Sequence, residues 1–352
     1  MAGKCLYIAA LTSLLAPSGI TATQSQVRDA CRADRTSDAC VRARTEAARQ
    51  PYEIPPLERL EAAGDRVRQV FYVDRAGEIM VSFIAQRGGS AVATVQYPRR
   101  RDGRIPPPLR ALVPERVWRE VLALSEPFNA RPPPPDSRTI CLDGGTYLIV
   151  AIDPGRSDRL GRTTRQTLGH DCERGPAPAY AYAIARLALP LFPACARIDA
   201  RRFADPVRRL GACRLLRGDR MAAAEVLSRA QGFGMTGNAG DTARLAGLFS
   251  ARSELHWDGT LQAGDPAVLW AARAAPSLGV TRLLIEAVEG ISARRVRLTG
   301  RLTRPVDTRR GTATGPETAQ VEQLWRRDRD GLFRVARATV GAWEPFAPPI
   351  ND

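Results

Sequence analysis

Lysine is nearly missing from this chain: the single one is Lys4, so the other basic residues are all arginine. A phosphate-loop lysine and a Schiff-base lysine are therefore both excluded from everything beyond the first few residues. The sequence holds 2 histidines, His170 and His256, which leaves little material for metal or acid–base sites. The Gly-x-Ser-x-Gly nucleophile elbow and the paired-histidine zinc helix are absent. None of the 7 cysteines stands two residues from another, as a zinc ribbon or a thioredoxin-like redox site requires. Gly232, Gly234 and Gly237 superficially suggest a nucleotide loop, but they follow helix-forming sequence instead of a strand and read as an interhelical loop. No cofactor and no metal are expected.

Long apolar runs are also scarce. Lys4 precedes a mostly apolar stretch from Cys5 to Ala16, and Pro17, Ser18, Gly19 and Thr21-Ala22 follow. That is the layout of a secretory signal peptide over residues 1–22, cut after Ala22, and it is shorter than the roughly 20 apolar residues that span a bilayer. The mature chain is thus expected in the periplasm or secreted, with no transmembrane segment. Loss of Cys5 leaves Cys31, Cys40, Cys141, Cys172, Cys195 and Cys213, an even set in an oxidising compartment. Sequence leaves their connectivity open, and their grouping into neighbours favours 31–40, 141–172 and 195–213.

The net charge of +15 points first to polyanions. Export disfavours nucleic acid as that partner, and the arginines are spread along the chain instead of forming one block with interleaved aromatics. An anionic envelope polymer stays open as a partner.

Residues 23–50 read as a helical arm closed by a local disulfide, and Pro51, Pro55 and Pro56 break from it. Gln69–Val73, Ile79–Ala85 and Ala91–Tyr97 alternate as strands around turn sequences, predicting an antiparallel meander. A helix after Pro114 carries Trp118 and Val121. Pro132–Pro135 forms a stiff connector, and Thr139–Leu142 with Thr146–Ile152 reads as a hairpin about Asp143-Gly144-Gly145. A helix from about Pro178 presents Tyr180, Ile184, Leu187 and Leu191 on one face, and Cys195 to Cys213 closes an arginine-rich turn. The stretch 51–215 is thus an α+β domain with an antiparallel sheet and disulfides. His170 is expected in a loop beside Cys172.

From Asp219 the pattern changes. Asp219 and Asp241 are placed to cap two helices, the first carrying Met221, Ala224, Leu227 and Ala230 and the second Leu245, Leu248 and Phe249. A strand containing Glu254-Leu255-His256-Trp257-Asp258-Gly259 follows, then a helix from Pro266, and strands at Leu283–Val288, Arg294–Thr303, Ala319–Arg326 and Leu332–Val340. This order, with the text Leu248 to Gly259, Gln323-Leu324-Trp325 and Asp330-Gly331-Leu332-Phe333-Arg334-Val335, resembles the nuclear transport factor 2-like superfamily, particularly its polyketide-cyclase-like branch. The resemblance covers residues 217–346, with 347–352 as a tail, and implies a cone of helices and curved antiparallel sheet around an apolar pocket. Strand alternation makes Gln323, Trp325, Phe333, Val335 and Arg337 the candidate lining, with Val296, Leu298, Leu302, Val321 and Thr339 on the same faces.

His256 and Asp258 alternate with Leu255 and Trp257, so both should project from the same side of a strand, and some members of the superfamily use a histidine–aspartate pair for proton transfer. The steroid-isomerase branch's tyrosine-plus-aspartate pattern is not reproduced, and outward, solvated side chains are expected here. The sequence therefore points to a noncatalytic binding or interaction protein that takes a small apolar ligand or an envelope protein. The alternatives are a cofactor-independent isomerase, cyclase or dehydratase-like enzyme using His256 and Asp258, and a basic envelope protein that binds polyanions.

Overall fold

The computed structural model describes residues 24–32, 38–74, 77–100, 103–125, 127–129, 145–155, 163–170, 175–199, 203, 205–233, 241–274, 281–304 and 316–346. The leader, the Pro132–Pro135 connector, Thr139–Leu142, the Cys141–Cys172 pairing and the tail lie outside them. The chain is α+β, built on two sheets.

The N-terminal arm is α1 (Gln24–Ala30) and α2 (Asp38–Arg49), joined by the Cys31–Cys40 disulfide. After α3 (Leu57–Ala63) the first sheet begins with β1 (Arg66–Asp74), β2 (Gly77–Ala85), β3 (Ala91–Gln96) and β4 (Leu109–Leu112). Following α4 (Glu115–Ala123), it is completed by β5 (Thr146–Ile152) and β6 (Thr164–His170) in the order β4-β3-β2-β1-β5-β6, antiparallel throughout. The expected meander is present. The expected hairpin is corrected: β5 is flanked along its whole length by β1 and β6, so its hairpin partner is Thr164–His170. His170 accordingly ends a strand instead of sitting in a loop.

One face of this sheet is covered by α5 (Pro176–Ala188) and α7 (Pro206–Ala212), with α6 (Pro193–Arg197) between them in sequence. Tyr72 donates its hydroxyl proton to the Ala181 carbonyl, and Tyr97 donates to that of Leu210 at 2.9 Å, so these two phenols tie sheet to helices with their own hydroxyls paired. Cys195–Cys213 joins α6 to the end of α7, so the expected stapled turn is a pair of short helices. The opposite face carries a smaller core in which Tyr52, Leu57 and Leu60 cover Phe71, Met80 and Val150.

The second sheet contains β7 (Leu216–Gly218), β8 (Phe249–Trp257), β9 (Thr260–Leu261), β10 (Arg282–Ser292), β11 (Arg295–Arg304), β12 (Glu317–Arg327), β13 (Phe333–Val340) and β14 (Glu344–Pro345). Its order is β7-β10-β11-β12-β13-β8-β9, with β14 beside β12. Asp219 caps α8 (Arg220–Ala230) by accepting from the Ala222 N–H at 3.1 Å, as its position in the sequence suggests. Close approach forces two glycines here. A Cβ on Gly218, whose φ is +58°, would lie 2.2 Å from the Gly290 carbonyl oxygen, and one on Gly290 would lie 2.0 Å from that of Asp219. Met221 turns outward, whereas Ala224, Leu227 and Ala230 are buried. Asp241, expected as a cap, is instead the first residue of α9 (Asp241–Ala246), which stops before Leu248, and Phe249 opens β8. With α10 (Pro266–Ala274), these helices fill the sheet's concave side.

A single apolar core runs from beneath α5 and α7 through α8 to β10–β13. Residue 217 falls inside β7, and α8 packs on both α6 and β10, so packing is continuous across the expected domain boundary.

Candidate functional site

The concave face of the second sheet is built by alternation. Val296, Leu298 and Leu302 of β11, Val321, Gln323 and Trp325 of β12, and Phe333 and Val335 of β13 all point inward and are buried. Opposite them an aromatic cluster centres on Phe233, whose ring lies 5.1 Å from Trp270, 5.6 Å from Phe249 and 5.9 Å from Trp325, each edge-on. Trp257 meets Trp270 at 5.8 Å. These edge-to-face contacts add about 0.5–1.5 kcal/mol apiece beyond the area they bury. Phe233 gives no warning in the sequence, because its neighbours Gly232 and Gly234 mark the stretch as a loop.

Gln323 accepts from Trp325 Nε1 at 3.1 Å through its amide oxygen, while its Nε2 has no partner among the described residues. Trp270 Nε1 and Thr281 Oγ1 are also buried without a partner among the described residues.

Arg337 and Thr339 do not join this face. Between Leu324↔Arg337 and Trp325↔Val335 the β12–β13 register slips by one residue, making Ala336 a bulge. Beyond it the alternation inverts: Ala338 and Val340 are buried and Arg337 faces outward. There its Nε meets Glu254 Oε2 at 2.9 Å, with His256 Nε2 3.8 Å from the same oxygen. Leu255 and Trp257 take the inner side of β8, so His256 lies outside the cone. Asp258 follows the end of the strand with φ +51°, exposed, its N–H donating to the Val340 carbonyl at 2.8 Å. The structure thus brings His256 together with Glu254 and Arg337 on the exterior, away from Gln323, Trp325, Phe333 and Val335.

An open cleft of about 620 Å³ lies elsewhere, on the first sheet. It exists because α3 is short: Gly64 ends the helix in the left-handed conformation, φ +68°, and its N–H returns to Glu61 O at 3.0 Å. The helix covers Phe71, Met80 and Val150, and the outer part of β2, β3 and β4 continues past it as the cleft floor. Even-numbered positions supply that floor, Met80, Ser82 and Ile84 of β2 and Val92, Thr94 and Gln96 of β3, and Arg110 of β4 stands at its edge. Ile54, Pro55, Arg59, Leu60, Ala63 and Asp65 form the wall.

The chemistry of the floor is mixed. Ser82 is 1% exposed, and its Oγ has no hydrogen-bond partner among the described residues. Gln69, also at the floor, accepts from Arg49 Nη1, and Arg49 Nη2 donates to the Pro55 carbonyl. Arg49 is 2% exposed, so a buried cation backs the cleft. Its burial pulls the guanidinium down to about 10, and Glu46, 3.5 Å from Nε, partly opposes that shift. Arg59 and Arg110 are exposed at the rim and form no ion pair among the described residues; Asp65 is the one carboxylate of the lining. A second buried charge cluster, Arg68 and Arg165 on Asp153, lies at the far end of the same sheet and is structural: Arg68 Nη2 reaches both carboxylate oxygens at 3.0–3.1 Å.

Among the described residues no group of three or more His, Cys, Asp or Glu is placed to hold a metal, and no helix is long and apolar enough to cross a membrane.

No protein-family model matches the chain, and no curated protein matches it. Solved structures similar to it are nuclear transport factor 2-like or ketosteroid isomerase-like proteins. A nuclear transport factor 2-like superfamily protein from Salmonella enterica serovar Typhimurium is 11% identical, covers 37% of this chain and 96% of its own, and has a TM-score of 0.29. A putative ketosteroid isomerase from Shewanella frigidimarina is 12% identical over 34% of this chain and 94% of that one, with a TM-score of 0.25. A hexachlorocyclohexane dehydrochlorinase, LinA type 2, is 20% identical over 37% and 94%, with a TM-score of 0.27. The chain has a region similar to the nuclear transport factor 2-like proteins, covering about a third of its length.

Proposed function

We propose that the protein is an exported, noncatalytic binding protein that holds a small ligand in the cleft of its first sheet. Ser82 carries the reading. A buried hydroxyl without a partner among the described residues is destabilising by about 1–3 kcal/mol, and beneath a cleft floor that penalty is relieved when the side chains over it shift and a ligand supplies the missing hydrogen bond. The cleft's volume lies within the roughly 300–1,000 Å³ of small-molecule sites. Export is supported by the leader-like first 22 residues and by Cys31–Cys40 and Cys195–Cys213, bonds that persist in oxidising compartments. The absence of chemistry is supported by the position of His256 and Asp258 outside the cone. Against polyanion binding, Arg297, Arg301, Arg304 and Arg337 of the second sheet are each paired with a glutamate, although exposed Arg295 and Arg326 stand opposite each other with no ion pair among the described residues.

A second reading keeps a ligand in the cone and allows isomerase-, cyclase- or dehydratase-like turnover there. The unpartnered Gln323 Nε2, Trp270 Nε1 and Thr281 Oγ1 favour it, since a small molecule bearing an acceptor would satisfy them. A thermal-shift screen of small organic molecules against the mature chain separates the two, because a ligand of the folded state raises the melting temperature. Hits are expected to be lost in Thr94→Trp, which fills the cleft, and kept in Gln323→Leu. Hits lost in Gln323→Leu alone, or a turnover abolished by His256→Gln with Asp258→Asn, would overturn the proposal.

A further inference from the structure

Resting on the cleft as the binding site, we infer that its ligand is an organic anion with an apolar body and a neutral hydroxyl or amide partway along it. Three features of the lining converge on that chemistry. Ile54, Leu60, Met80, Ile84 and Val92 form apolar sides suited to an alkyl or branched chain. Below them the hydrogen-bonding groups are all uncharged: the Ser82 and Thr94 hydroxyls and the Gln69 and Gln96 amides. Such a floor rewards a neutral polar group and penalises a buried charge, which would be desolvated there without a counter-ion. Charge is confined to the rim, where Arg59 on the α3 wall and Arg110 on β4 stand without ion pairs against the single Asp65.

The polar groups also fix an orientation. The acid group lies at the mouth between Arg59 and Arg110, the apolar chain runs inward over Met80 and Ile84, and the neutral group reaches Ser82 Oγ once the side chains that cover it move aside; no described residue competes for that hydroxyl. A cation is disfavoured by the same arrangement. A fully apolar ligand leaves Ser82 unsatisfied and the rim arginines unused.

Calorimetric titration of the full mature chain with 3-hydroxydecanoate, decanoate and methyl 3-hydroxydecanoate tests each feature separately. The hydroxy acid is expected to bind about tenfold more tightly than its uncharged methyl ester, a ratio of the size that a charge-assisted contact supplies. Arg59→Gln with Arg110→Gln should bring that ratio to near one, and raised salt should shrink it, because the rim is solvent-exposed. Ser82→Ala should erase the preference for the hydroxy acid over decanoate while leaving the acid-over-ester ratio intact. Thr94→Trp should abolish binding of all three, with Ala63→Trp at the lip as the alternative block should the first variant fold poorly.

Equal binding of acid and ester, with binding blocked by the tryptophans, overturns the anion inference alone. Binding that survives both tryptophan variants overturns the cleft reading beneath it. No binding of any probe at millimolar concentration overturns the proposed ligand class.

Discussion

The two sheets treat their buried faces in opposite ways. In the second sheet, helices and five aromatic rings close over the concave side, and the convex one carries ion pairs such as Arg297–Glu289 and Arg301–Glu286 beside the exposed Arg295 and Arg326. In the first sheet, α5 and α7 seal one face, while the short α3 covers only part of the other and leaves neutral polar side chains at the floor of a cleft. Where an apolar layer is complete, packing is the main role left to a side chain. Where it stops short, the strand pattern itself admits serine, threonine and glutamine at inward positions, and those positions become available to a ligand.

The sharpest way to break this comparison is to truncate one residue in each region. Trp270 is fully buried and touches Phe233, Phe249 and Trp257, so Trp270→Ala should lose roughly 3–5 kcal/mol in denaturant unfolding. Thr94→Ala, at the half-exposed cleft floor, should change stability by less than about 1 kcal/mol. Comparable losses would mean that the cleft floor is as tightly packed as the aromatic core.

The two described disulfides sharpen it next. Cys195 and Cys213 are 1% and 0% exposed, sit in the shared core and tie α6 to α7. Replacing both with serine should cost about 2–4 kcal/mol, as loss of a native bridge usually does. Cys31–Cys40 joins two helices of the terminal arm, and the same double replacement there should loosen the arm with less movement of the main unfolding transition. A larger shift from the arm would show that α1 and α2 hold the first sheet together.

What the sequence revealed follows the same divide. The meander and the Asp219 cap were legible because they depend on local chemistry: glycine-rich turns between β-branched runs, and an aspartate ahead of an alanine-rich helix. β6 was missed because Thr164–His170 shows almost no apolar alternation, and only its pairing with β5 makes it a strand. Alternation also misplaced Arg337, since a bulge at Ala336 leaves no mark in residue type. The cleft was invisible for a deeper reason: it depends on how far α3 reaches across strands distant in sequence. Its residues read as ordinary strand positions until Gly64 is seen to end the cover early.

The smallest expected effect lies at the exposed end of the second sheet, where electrostatics act without burial. Asp330 accepts from Arg334 at 2.5 and 3.0 Å and from the Leu332 N–H at 3.0 Å, and these bonds, the arginine's first, hold its carboxyl down to about 2. A carboxylate lowered in the folded state stabilises the fold above its unfolded value near 3.9, and that contribution disappears as the pH falls from there through about 2. Stability should therefore drop slightly across that interval in the parent chain, and the drop should be shallower in Asp330→Asn. Carboxyl resonances followed by NMR give the direct measurement: a midpoint near 2 for Asp330, returning toward the ordinary value in Arg334→Gln. A midpoint near 4 in the parent chain would show that solvent screens this turn completely, leaving the Asp330–Arg334 pair with no measurable share in holding the fold.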